Sequence, residues 1–131
     1  WERLNPRVAA QGLPTEERQL TDFLGPMYAA FEDNADLIAV AQSTPQGRAM
    51  RMSVKDKRAK AFRAATPEAT RGLGEREAIM ATAVIQLLHG GQAWIEMRQQ
   101  WGLSSEEIAR ACAWAIATLL KDLHGREGRP L

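Results

Sequence analysis

The side chains able to do acid–base, nucleophilic or metal chemistry are few in this chain. Its two histidines, His89 and His124, are far apart, and neither opens a His-Glu-x-x-His spacing. The lone cysteine, Cys112, excludes an internal disulfide and a cysteine-rich zinc site. No Ser-His-acid set can be placed by spacing. Gly72 and Gly74 lack the lysine and the helix pattern of a phosphate-binding loop. His124 stands in a C-terminal turn, where a cation suits the helix dipole. His89 lies with Gln86 and Gln92 on a polar stripe, where an imidazole either orients a ligand or joins a contact between chains. Cys112 falls on an apolar arc and reads as a small core residue. The expectation is a protein that is not an enzyme and carries neither metal nor cofactor.

Binding is the chemistry that remains. Aromatic and methionine side chains suit a pliable apolar pocket. The candidates are Met27, Tyr28, Phe31, Met50, Phe62 and Trp94, with Gln86 and His89 as polar contacts. Such a lining favours a small apolar or aromatic ligand with one or two hydrogen-bonding groups. The basic run Arg48, Arg51, Lys55, Lys57, Arg58, Lys60 and Arg63 is the strongest nucleic-acid signal. It spreads around a helical wheel without forming a stripe, so it reads as a solvated helix with snorkelling stems.

Composition narrows the class. The 131 residues suit one domain with a real core. A net charge of +1 names no partner. There is no apolar run of about 20 residues and no signal peptide, so the expectation is a cytoplasmic protein without a membrane partner.

The elements that must position these residues are helical. Ala, Leu, Glu, Arg and Gln dominate, and strand-like alternation is absent, so the fold class is all-α. An irregular lead-in over 1–14 is expected, then a helix over 15–33 with Thr15 as N-cap and a kink at Gly25-Pro26. A short helix over 35–43 stops at Thr44-Pro45. A basic helix follows over 47–65, and Thr66-Pro67-Glu68 starts a short turn. The longest helix is expected over 75–101, stopped by Gly102. Ser104 and Glu107 form a capping box for the last helix, which ends near His124-Gly125. Residues 126–131 read as a frayed tail.

The last two helices carry too much apolar surface for one-sided packing. In the last one, Ile108, Cys112, Ala115, Ile116, Leu119, Leu120 and Leu123 form an arc that Ala109, Ala111 and Ala113 widen to about 200°. In the long one, Met80, Val84, Leu87, Trp94 and Met97 do the same, opposite a polar stripe of Thr82, Gln86, His89 and Gln92. One face packs on the core, and the other needs a partner, most simply a second copy. The expected contact residues are Leu87, Gly90, Gly91, Ile108, Ala111, Cys112, Ala115 and Leu119, the small ones allowing close approach.

The stretch Ala93-Trp94, Gly102-Leu103-Ser104, Glu106-Glu107, Ala109-Arg110-Ala111 and Ala113-Trp114-Ala115 resembles the C-terminal domain of the TetR family of bacterial transcriptional regulators. The run from Thr15 through Phe31 and on to Ile38 is similar to the helices that follow that family's DNA-binding head. The likeness covers about 15–124 and is most specific in 93–120. It implies an antiparallel helical bundle, a homodimer whose last two long helices form a four-helix bundle, and a ligand pocket among the earlier helices. It also implies a regulator, most simply a repressor, whose operator DNA is bound by a helix-turn-helix head. Residues 1–14 contain no such head, so the whole chain reads as the ligand-binding and dimerisation domain. The alternative is a stand-alone helical interaction or small-molecule-processing domain unrelated to transcription.

Overall fold

A computed structural model describes residues 12–131, so most of the lead-in, and with it the question of a head in 1–14, lies outside the described residues. All regular structure within them is α-helical. The helices are α1 Gln19–Asp22, α2 Leu24–Asp33, α3 Ala35–Ser43, α4 Pro45–Ser53, α5 Lys55–Ala65, α6 Glu75–Leu87, α7 Gly91–Trp101 and α8 Ser105–Arg126. No single helix among them is long and apolar enough to cross a membrane.

The centre is α8. Its capping box forms as the sequence predicts: Ser104 Oγ accepts from the Glu107 N–H at 3.1 Å, and Glu107 Oε1 accepts from the Ser104 N–H at 3.0 Å. Ile108, Cys112, Ile116, Leu120 and Leu123 then recur every three or four residues and bury one stripe. The most extensive helix contact is between α8 and α2, whose Leu24, Met27, Tyr28 and Phe31 fill the other side of the core. His124 Nε2 meets Glu17 Oε1 at 2.9 Å and ties the end of α8 to the segment before α1.

Several expected boundaries move, each for a local reason. Thr15 caps nothing; the Gln19 side chain instead accepts from the N–H groups of Thr15 and Glu16 at 2.9 and 3.1 Å, and the helix starts at Gln19. The break expected at Gly25-Pro26 falls earlier, at Phe23, so that Pro26 sits in the first turn of α2, where its missing N–H does no harm. Thr44-Pro45 ends α3 and also starts α4, with Thr44 Oγ1 accepting from the Gly47 N–H at 3.1 Å. Gly47 has no room for a side chain: a Cβ there would lie 1.9 Å from the Ala41 carbonyl oxygen. The basic helix expected over 47–65 is two helices, broken at Val54. The tail is not frayed. The Leu131 N–H donates to Glu77 Oε2 at 3.2 Å, and Gly128 packs against Gly72.

The largest difference lies in the helix expected over 75–101. It divides at Leu88–Gly90 into α6 and α7, which bend by 53°. The Tyr28 hydroxyl holds the break, donating to the Leu88 carbonyl at 2.8 Å and accepting from the Gly90 N–H at 3.1 Å. The division also turns α6 from its expected facing. Thr82 is buried, with its hydroxyl 2.9 Å from that of Thr66, while Met80, Val84 and Leu87 are about half exposed.

Tyr28→Phe keeps the ring and leaves the Leu88 carbonyl and the Gly90 N–H without their buried partner. It should lower unfolding free energy by about 1–3 kcal/mol in urea titrations. A change within error would show that the hydroxyl does not hold the break.

Candidate functional site

The expected ligand set is divided by the fold. Tyr28, Phe31, Phe62 and Trp94 are buried to 2 % exposure or less. Phe31 meets Tyr28 and Trp94 edge-on, with ring centroids 5.6 and 5.7 Å apart, and Phe62 meets His89 at 5.4 Å. Met27 is buried beside them. These side chains are core, packed on one another, and the two surface concavities described below are not lined by them. Their number and size suggested a pocket because a wheel shows that a residue faces inward but not whether its neighbours fill the space. Met50 is half-buried on α4, outside this cluster.

Trp94 also anchors a polar network on the surface of this core. Its Nε1–H donates to Ser105 Oγ at 2.9 Å, and Ser105 donates to Glu32 Oε2 at 2.7 Å. Arg98 donates to the same carboxylate at 2.7 Å, and its guanidinium lies 5.0 Å from the Trp94 ring centroid. An open concavity of about 340 Å³ lies here, but its Glu32 and Arg98 are already paired.

The other concavity is a groove of about 300 Å³, between α4–α5 and the α6–α7 break. Arg48, Arg51, Lys55 and Arg58 line it, and no carboxylate does. Arg51 is fixed by donating to the Ala41 carbonyl at 2.8 Å and to Gln42 Oε1 at 2.7 Å. Burial, and then the charge of Arg51, hold the Arg58 guanidinium below its usual pKa. Of the expected ligand residues, Gln86 lines this groove; Gly90, Gly91 and Leu87, expected at a dimer contact, line it too. The basic residues are brought together because the break at Val54 redirects half of a run that looked evenly spread on one continuous wheel.

His89 is adjacent to the groove but turned inward, 4 % exposed, and its Nε2 has no partner among the described residues. Burial is the largest cause of its lowered pKa, about 4, and the nearby Arg58 charge adds to it. The expected polar contact is therefore a neutral buried imidazole. Of the remaining dimer candidates, Ile108 and Cys112 are buried in the chain's own core, Leu119 is half-buried and packs against that core, and Ala111 and Ala115 are half-buried on α8.

No protein-family model matches the chain, and no curated protein and no solved structure matches it.

His89 predicts a pH dependence. In the unfolded chain its imidazole takes up a proton below about pH 6.5; in the folded chain it does so only below about 4. Between those values the unfolded state binds more protons, so stability falls as pH falls. The contribution is whole above about pH 6.5 and lost by about pH 4, a change on the order of 3 kcal/mol. Urea unfolding across this window should show that extra loss in the native chain and not in His89→Gln. Parallel curves for the two proteins would contradict the assignment.

Proposed function

We propose that this chain is the effector-binding and dimerisation module of a TetR-like transcriptional regulator, a cytoplasmic repressor whose operator is contacted by a head outside these residues. The observation that supports the reading is the outer surface of the last two helices. Trp101 at the end of α7 is 71 % exposed, and Trp114 on α8 is 72 % exposed. Tryptophan is the costliest side chain to leave in water and among the commonest at the energetic centre of interfaces. Ala111 and Ala115, half-buried on the same helix, are small enough to let a second backbone approach closely.

A second copy is the occupant this reading commits to. Twofold pairing makes one patch serve both sides of the contact and brings two helix pairs into one bundle. Control by an effector is then a matter of linkage. A ligand that binds one spacing of the two DNA heads better than the other shifts the population, and by no more than that difference in affinity. The role is binding, not catalysis.

Sedimentation at micromolar concentration tests the dimer. The unmodified chain should sediment as a dimer. Trp114→Glu, at a position where folding buries little, should sediment as a monomer with unchanged helix content, because an unpaired charge in a dry interface is costly. A native chain that stays monomeric refutes the dimer.

A further inference from the structure

The groove between α4–α5 and the α6–α7 break concentrates charge that the rest of the chain does not balance. The chain as a whole is nearly neutral, at +1. Yet Arg48, Arg51, Lys55 and Arg58 converge on one concavity, and none of them has a carboxylate partner among the described residues. Arg58 lies close to the start of α7: a Cβ added to Gly90 would sit 3.3 Å from its Nη2. The N-terminus of α7 has no side-chain cap, and Gly90, Gly91 and Gln92 at that terminus line the groove. Four cations and the positive end of an 11-residue helix therefore share a concave site. Like charges held this close repel, and an anion between them removes the repulsion and takes up the free N–H groups.

The groove is not uniformly polar. Met52, Ala83 and Leu87 form part of its lining, and Met52 and Leu87 are about half exposed. A volume of about 300 Å³ is at the small end of the range for small-molecule sites. It has room for a small organic body beyond a charged head.

We propose that this groove binds a small amphipathic anion, with its carboxylate or phosphate head between Arg51, Arg58 and the first turn of α7 and its apolar body against Met52, Ala83 and Leu87. The inference deepens the effector reading by giving the ligand a class and a site. It rests on that reading only for its regulatory consequence. A monomeric chain would remove the dimer and leave the binding site intact.

Octanoate is the probe, titrated calorimetrically into the full chain, with octanol and inorganic phosphate as comparisons. Octanoate should bind, and its affinity should fall as salt rises. Octanol, lacking the charge, should bind at least about tenfold more weakly, and so should phosphate, lacking the apolar body. Arg58→Gln should weaken octanoate about tenfold or more. Because Arg58 is partly buried, the double variant Arg48→Gln/Lys55→Gln, at two exposed positions, repeats the test without risk to the fold. Leu87→Ser should weaken octanoate and leave phosphate unchanged. The assignment is overturned if octanoate does not bind, if it binds no better than octanol, if phosphate equals it, or if folded arginine variants bind it as the native chain does.

Discussion

The hydroxyl of Tyr28 is the constraint on which most of this architecture depends. It sits at the core and bonds both sides of the Leu88–Gly90 break, so the chain is held where one helix stops and the next begins. Burial pushes the phenol well above its usual pKa, which keeps it a neutral donor and acceptor at any ordinary pH. A helix running straight from 75 to 101 would keep one facing throughout. The bend lets α6 turn Thr82 and Ile85 inward, while α7 sends Trp94 into the core from a different direction. It also leaves an uncapped helix start at the surface, beside Arg58.

Trp94 carries that constraint to the other helices. Its ring packs on Phe31 of α2, and its indole N–H reaches Ser105 in the first turn of α8. Glu32 gathers Ser105 and Arg98 on one carboxylate. The consecutive helices α7 and α8 thus meet the distant α2 through one buried ring and one half-exposed acid. The indole is satisfied at its polar edge and desolvated elsewhere, which is the condition under which tryptophan stabilises a core. The polar bonds orient the helices, and the apolar area supplies most of the free energy.

The helical class, the Ser104–Glu107 box and the Gly102 stop were legible because each is encoded in a few neighbouring residues. Gly102 is in the left-handed conformation at φ 66°, as a helix stop requires. The buried stripe of α8 was legible from spacing, and so was the fact that the same helix carries apolar surface on another side. The breaks at Val54 and Leu88–Gly90 were not. Nothing local forbids a helix at Val54, and Gly90-Gly91 is tolerated within helices at modest cost. The break there is stabilised by Tyr28, sixty positions earlier in the chain, and periodicity cannot register a partner so distant. Each missed break then misplaced a site. Reading 75–101 as one wheel put His89 on a polar stripe, open to a ligand or a second chain, whereas it is buried. Reading 47–65 as one wheel dispersed the cations that the fold gathers.

Those gathered cations lie beside the break between α6 and α7. One wall of the groove is α4–α5, and the other is the end of α6 and the start of α7. An anion held by Arg51, Arg58 and the first turn of α7 would tie the two walls together. Because α7 is fixed to α8 through Trp94 and Ser105, a change in the angle at the break cannot stay local. It would carry Trp101 and the outer face of α8 with it. Coupling of this kind needs no path of moving side chains; it needs one joint with two settings and a ligand that prefers one of them. In this reading the dispersed basic run and the overlong apolar helices have one explanation. The breaks at Val54 and Leu88–Gly90 turn the basic run into the wall of a groove and bend the apolar helix at its rim.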